Sequence, residues 1–312
     1  MGPEMFAPRR GAVRRRYVNE AKHAVTMSRA WARNIAPGPA GDLPSIVIIG
    51  VQRGGTTSLF RYLGAHHQIV APLSKELNYL SLHYGNGVGW YRGHFPRLPE
   101  GTQTLEASPL YLVDPRVPAR AAAELPSTRF IALLRNPVER AYSHYLHNLE
   151  HGFEPLPFVD ALEAEPERLA RAERMGLDTR RGLMLMRNSS YAHRGLYADH
   201  LSRWYEHVPR ERVHVLRSED LFSDPETTFN TLIDQMGLEP ASGITFKRMN
   251  HWEDDSVTQL TPEVRRQLEE RFRAPNEQLA SMLGWTETWA PAVSPEQPDP
   301  DRGVPSRTSP SS

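Results

Sequence analysis

Short runs of consecutive apolar residues alternate along the chain with stretches whose apolar positions recur every three or four residues. Ser45-Ile46-Val47-Ile48-Ile49 is the first such run, and its lack of polar alternation fits a strand buried on both faces. Thr128 to Leu134 and Val213 to Leu216 repeat the pattern, while Gln68 to Ala71 and Thr102 to Glu106 are weaker versions. Helical spacing falls between these runs. Thr57 to Leu63 and Pro137 to Leu149 begin cleanly, the second with proline at its first helical position. Tyr197, Leu201, Trp204 and Val208 share one helical face, so the aromatic residues of that stretch read as core rather than as a base-stacking platform. A last helix opens with Thr261-Pro262-Glu263, carries Val264, Leu268 and Phe272 on one side, and ends near Gly284. Strand–helix alternation of this kind predicts one α/β domain over residues 45–285, a three-layer fold with a central parallel sheet flanked by helices.

The flanks differ in composition. Residues 1–44 form a basic N-terminal arm, with Arg9, Arg10, Arg14, Arg15, Arg16, Lys22, Arg29 and Arg33 against the single acid Glu20. Residues 21–32 suit a helix that Pro37-Gly38-Pro39 ends. A solvated arm, or a helix lying on the main domain, is the favoured reading; contact with membrane phosphates or a partner is the other. Residues 286–312, punctuated by Pro291, Pro295, Pro298, Pro300, Pro305 and Pro310, are expected to be a disordered tail.

Across the 312 residues, 37 basic and 37 acidic side chains give a net charge of zero, so no global field draws the chain to nucleic acid. There is no cysteine, which excludes disulfides, zinc–thiolate centres, iron–sulfur clusters and a Cys nucleophile. That composition fits a reducing compartment. No run approaches the roughly 20 apolar residues that span a bilayer, and the N-terminus carries no secretory pattern. The expectation is a soluble, cytoplasmic protein.

The chemistry concentrates after the first strand. Gly50-Val51-Gln52-Arg53-Gly54-Gly55-Thr56-Thr57-Ser58-Leu59 is a Gly-rich turn that enters a helix, a geometry that aims backbone N–H groups and the positive helix end at an anion. Gly50 and Gly55 keep the spacing of the nucleotide loop G-x-x-x-x-G-K-[ST], but Thr56 stands where that loop has lysine and Arg53 supplies a cation within it. An ordinary ATPase or kinase is thereby disfavoured, and a Gly-rich turn without ligand remains the bland alternative. Downstream, the second strong strand ends in Leu134-Arg135-Asn136-Pro137-Val138-Glu139-Arg140-Ala141-Tyr142-Ser143. Arg135 at a carboxyl strand end would face the same crevice as the loop, with Ser143 two turns along the helix.

Together and in this order, the two segments resemble the paired signatures of PAPS-dependent sulfotransferases, above all the glycan-modifying, heparan-sulfate type and its bacterial relatives. PAPS is 3′-phosphoadenosine-5′-phosphosulfate. The likeness continues through Lys75-Glu76-Leu77-Asn78-Tyr79-Leu80, Glu106-Ala107-Ser108-Pro109-Leu110-Tyr111 and Gly195-Leu196-Tyr197, and ends near Asn276 to Trp285. It implies a P-loop-like fold with PAPS as donor and 3′,5′-ADP as product. Arg53, Gly54, Gly55, Thr56, Thr57 and Ser58 would then hold the 5′-phosphosulfate, and Arg135 and Ser143 the 3′-phosphate. It also implies Glu76 as general base toward a hydroxyl or amine of a glycan, lipid or small molecule, with Arg53 neutralising the donor. Lys75 and Asn78 are candidates for acceptor contact. Two departures stand out: many members have lysine where this chain has Arg53, and the cofactor-closing loop of the animal enzymes is disulfide-flanked, with Lys247 and Arg248 the stand-ins here.

Read without the resemblance, Glu76 is an ordinary surface acid. His144, His147 and His151 share a helix face, yet no H-E-x-x-H pattern accompanies them, so core or solvent histidines are favoured and no metal is expected. If Glu76 is not the base, His66, His67 and His83 come next. A P-loop nucleotide kinase or NTPase and a non-catalytic nucleotide-binding module are the alternatives to a sulfotransferase.

Overall fold

A computed structural model describes residues 41–72, 74–247, 260–286 and 288–289. The five apolar runs become β1 (Ile46–Gly50), β2 (Ile69–Val70), β3 (Gln103–Ala107), β4 (Arg129–Leu134) and β5 (Val213–Arg217). All neighbours pair in parallel, in the order β2-β3-β1-β4-β5. β1 lies at the centre, with Ile46, Val47 and Ile48 opposite Leu105, Glu106 and Ala107 on one side and Arg129, Phe130 and Ile131 on the other. Every residue of β1 is buried.

The helices are α1 (Thr56–Gly64), α2 (Gly87–Arg92), α3 (Val117–Glu124), α4 (Pro137–Glu150), α5 (Phe158–Arg174), α6 (Arg180–Ser189), α7 (Tyr197–Tyr205), α8 (Ser218–Ser223), α9 (Pro225–Gln235) and α10 (Pro262–Leu283). The two-residue period of the strands divides them into two layers. Ile46, Ile48, Ile131 and Leu133 pack against Leu59 and Leu63 of α1 and Phe229 and Ile233 of α9. Val47, Ile49, Phe130 and Ala132 point the other way, against Val117 of α3, Leu201 and Trp204 of α7 and Leu279 of α10. This is the expected three-layer arrangement. Val208 is buried with the α7 stripe, although the helix itself ends at Tyr205.

Helices α5 and α6 have no counterpart in the sequence reading. α5 contains Pro166 and buries only Phe158, Ala161, Glu165 and Ala172, so its apolar period is faint. Glu165 can be buried because Ala192 N–H and His193 N–H donate to its two oxygens at 2.9 and 2.8 Å. The α5–α6 pair packs through Ala172, Leu183 and Met186 onto Leu110, just past β3, which carries the end of α6 to the carboxyl edge of the sheet. The arm through residue 40, the tail from residue 290, and the readings attached to them lie outside the described residues.

Candidate active site

Beyond the carboxyl ends of the strands lies a cleft of about 750 Å³, the position that open parallel sheets reserve for ligands. The segment after each strand contributes to it: residues 52–57 after β1, Glu76 and Asn78 after β2, Pro109 and Leu110 after β3, Arg135 and Ser143 after β4, and Ser218, Glu219 and Phe222 after β5.

The loop after β1 is held in one shape. Val51 carbonyl accepts from Gly54 N–H at 2.9 Å, closing a turn with Gln52 and Arg53 at its centre. Arg53 and Gly55 adopt left-handed φ angles of 69° and 91°, which arginine tolerates only under constraint. A Cβ at Gly54 would sit 2.6 Å from the Leu133 carbonyl, and one at Gly55 would strike the Phe222 ring at the same distance. Ser218 Oγ donates to the Gly54 carbonyl from the start of α8. The turn delivers the chain to α1, whose first N–H groups have no carbonyl one turn back and so face the cleft as anion donors. Thr56 and Thr57 line the cleft; Ser58 is fully buried and outside the cleft wall.

The second signature is tied to the first. Arg135 Nη1 donates to the Arg53 carbonyl at 3.1 Å, and Arg53 Nε donates to Ser143 Oγ at 3.0 Å. Ser143 therefore anchors the loop cation, a contact that the sequence did not reveal, as well as lining the cleft. Tyr197 Oη fixes the Arg135 carbonyl at 2.8 Å, and Asn136 caps α4 by accepting from Val138 and Glu139 N–H. Burial lowers the Arg53 pKa, with the charge of Arg135 adding to it. Two guanidinium groups that repel one another across a partly desolvated cleft form a donor set that calls for an anion.

Glu76 lies on the facing wall at φ 59°, with Asn78 at φ 50°. Glu76 N–H donates to the Ala107 carbonyl at 3.0 Å, Asn78 N–H to Ser108 Oγ at 3.0 Å, and Asn78 Nδ2 to the Glu76 carbonyl at 2.8 Å. Asn78 thus shapes the Glu76 turn while lining the cleft. Arg187 Nη2 lies 3.5 Å from the Glu76 carboxylate and Lys75 Nζ 4.0 Å away. Lys75 donates to Thr57 Oγ1 at 2.8 Å, so its ammonium sits on the phosphate side, where the loop lacks its usual lysine, and burial lowers its pKa. Lys247 is exposed and outside the cleft wall; Arg248 lies outside the described residues.

The histidines separate by environment. His144 is buried against Tyr191, with ring centroids 4.9 Å apart. His147 lines the cleft, and burial, aided by the Arg53 charge, lowers its pKa to about 3. His147, Glu150 and His151 bring donor atoms within 4.8 Å of one another, but the Arg53 charge that bears on His147 opposes a cation there. His66 and His67 are bound to Glu239, away from the cleft, and His83 is also outside its wall. His147 is thus the histidine nearest the chemistry, and a weak base.

Sequence reasoning missed Arg187, His147, Glu219 and Phe222. Glu219 and Phe222 follow β5 directly, so the carboxyl-end rule applied to that strand would have found them. Arg187 offered no such signal, because it arrives on α6.

The sulfotransferase domain family matches residues 43–291. Heparan sulfate glucosamine 3-O-sulfotransferase 6 of Mus musculus is 32% identical over 222 residues, covering 70% of this chain and 60% of that protein. Membrane-associated sulfotransferase kil1 of Dictyostelium discoideum is 27% identical, covering 79% of this chain and 66% of that protein. The chain spans 45 to 60% of the length of the heparan sulfate 3-O-sulfotransferases it matches. A crystal structure of a sulfotransferase from Alicyclobacillus acidocaldarius superposes with a TM-score of 0.65 at 24% identity, over 78% of this chain and 96% of that one, a likeness of fold. The cytoplasmic expectation is overturned by these relatives, one of them named as membrane-associated. Absence of cysteine restricts chemistry, not address. Among the described residues no helix is long and apolar enough to cross a membrane. With an arginine-bearing phosphate loop after β1, an Arg/Ser pair after β4 and a match over most of its length, the chain belongs to the sulfotransferase domain family.

Proposed function

We propose that the domain, residues 45–285, transfers a sulfuryl group from PAPS to a hydroxyl of a glycan and releases 3′,5′-ADP. The observation that carries this reading is the convergence on one cleft of a loop cation, Arg53, a second guanidinium, Arg135, and a carboxylate, Glu76. The names of the heparan sulfate relatives support a glycan as acceptor.

PAPS supplies an activated sulfuryl group on a 5′-phosphate. The loop amides, Thr56, Thr57 and Arg53 receive that end, with Lys75 adding charge through Thr57, while Arg135 receives the 3′-phosphate. Glu76 takes the proton of the acceptor hydroxyl. The acceptor oxygen bonds to sulfur as the bond from sulfur to the 5′-phosphate oxygen breaks, and Arg53 balances the charge left on that phosphate. Fixed donors carry the catalysis, as in phosphoryl transfer.

The test is a melting series without added metal, joined to mass spectrometry of an acceptor panel incubated with PAPS. 3′,5′-ADP should raise the melting temperature much more than 5′-AMP does. Arg135→Ala should erase most of that preference, since a charge-assisted contact contributes about 1.5–3 kcal/mol. Equal responses to the two nucleotides would sink the 3′-phosphate role, and no mass gain of one sulfate on any glycan would sink the activity.

A further inference from the structure

We infer that Gln52 is a second donor to the transferring sulfuryl group, and that Arg194 is the positioning residue that aims it; the inference rests on the transfer reaction proposed above. Gln52 and Arg53 are the two central residues of the turn closed by Gly54 N–H and Val51 carbonyl. Each has one end of its side chain tied down. Arg53 is fixed through Nε to Ser143 Oγ, which leaves its terminal nitrogens for the ligand. Gln52 is fixed through Oε1, which accepts from Arg194 Nη1 at 2.7 Å.

That bond settles which way the amide faces. A guanidinium donates only, so the atom opposite it must be the oxygen. The NH₂ group is therefore at the free end. Gln52 is only partly buried and lines the cleft, and its side-chain bond among the described residues uses Oε1 alone, so the NH₂ end is available to the cleft. It shares the cleft wall with Arg53, Thr56, Thr57 and Glu76, the groups between which the proposed transfer would take place.

Arg194 is costly to place. It is fully buried, and it donates to neutral acceptors: Ser190 Oγ at 2.6 Å, Gln52 Oε1 at 2.7 Å and the Arg187 carbonyl at 3.2 Å. A buried guanidinium is ordinarily paired with a carboxylate, because desolvation exceeds what neutral acceptors return. Packing alone would be served by an apolar side chain of the same length. The charge here braces two walls at once, the Gln52 turn and the end of α6 that brings Arg187 to Glu76. A rigid neutral donor suits sulfuryl transfer, since the group's equatorial oxygens gain little charge compared with the leaving phosphate and need orientation more than a further cation.

The experiment compares the parent with Gln52→Ala, Arg194→Lys and the double variant. It records kcat and KM for PAPS and one acceptor, and calorimetric affinities for PAPS and 3′,5′-ADP. Gln52→Ala should lower kcat by about 100-fold, the scale that misplacement of a reacting group costs. Affinity for 3′,5′-ADP, which has no sulfuryl group, should stay within about twofold on the same reasoning. Arg194→Lys should lose nearly as much kcat, and the double variant no more than the worse single one. A Gln52→Ala enzyme with kcat within threefold of the parent overturns the role of Gln52, whatever becomes of Arg194→Lys in folding. Losses that multiply in the double variant overturn the claim that Arg194 acts through Gln52. If the parent transfers to no acceptor, the reaction itself is wrong. The affinity ratio then decides the contact: Gln52→Ala must weaken PAPS relative to 3′,5′-ADP, and an unchanged ratio overturns it.

Discussion

Glu106 should make the stability of this domain fall as pH rises from about 4.5 to about 7, and Glu106→Gln should abolish that fall. The carboxyl group is fully buried on β3 behind the Glu76 wall. Burial raises its pKa from the ordinary 4.5 to about 7, although hydroxyls of Ser108, Tyr91 and Tyr111 bond to it and pull partway back. Tyr91 Oη donates to Oε2 at 2.6 Å, and Ser108 Oγ donates to Oε1. Between pH 4.5 and 7 the unfolded chain has released this proton while the native protein retains it. The native state then binds more protons, so unfolding becomes easier with each step in pH, and the penalty is complete above about 7. A rise of about two and a half pKa units at about 1.4 kcal/mol each amounts to about 3.5 kcal/mol, of which about 3 kcal/mol develops above pH 4.5, where the unfolded group is already half ionised.

The assay is thermal or urea unfolding of both proteins at several pH values between 4.5 and 8, read as the difference between them. The difference is needed because burial keeps His144, His193 and His200 neutral with lowered pKa values. Those groups lose stability as pH falls through about 6.5, the opposite sign in an overlapping window. They contribute equally to both proteins and cancel. Relative to the parent, Glu106→Gln should gain about 3 kcal/mol on going from pH 4.5 to 8, roughly 6–12 °C for a domain of this size. A difference that stays flat with pH would refute the reasoning, since it would mean that the buried carboxyl titrates alike in both states.

Division of labour across the cleft gives the next test. Glu76→Gln should leave 3′,5′-ADP affinity nearly unchanged while transfer falls by about 100-fold or more; turnover equal to the parent's would move the base elsewhere, with His147 the nearest residue to examine. Arg53→Ala should weaken both, and Arg53→Lys should keep part of the activity, since the charge survives but the Nε contact to Ser143 does not; calorimetry and turnover on one acceptor separate these outcomes. Gly55→Ala should cost about 1–3 kcal/mol in chemical denaturation, because its φ is left-handed and the added carbon meets Phe222; an unchanged midpoint would mean that α8 gives way freely.

Much of the fold could be read along the chain because a doubly covered parallel strand has a simple signature. β1 and β4 are buried throughout except at Arg129, and a β-branched or apolar run of five or six residues ended by turn residues is too short for a buried helix. Even β2, only two residues long, fell inside a predicted run. α4 was legible for a local reason, Asn136 capping it and Pro137 opening it. α5 was not, because its buried face is small and includes a carboxylate, so the helix is justified by contacts far away in sequence rather than by its own pattern. α6 suffers likewise: Arg180, Arg181 and Gly182 at its start give no apolar period, and its burial depends on docking to α5.

The same distinction divides the site. The proposed donor side is built largely from backbone: a turn, two glycines where a side chain would strain against its neighbours, and a helix start. Such geometry constrains residue type locally, and so it can be recognised from a dozen consecutive letters. The acceptor side is built from side chains on separate elements. Glu76 after β2, Arg187 at the end of α6 and His147 on α4 line one cleft, and Arg187 is brought there by the α5–α6 pair docking beside Leu110. Even the orientation of Gln52, a residue inside the legible loop, is set by Arg194, which stands 142 positions away. In the proposed reaction the donor would rest on two locally readable segments, residues 50–59 and 134–143, whereas the wall around Glu76 and Arg187 depends on contacts between distant elements, so one fold can keep its donor site and take different acceptors.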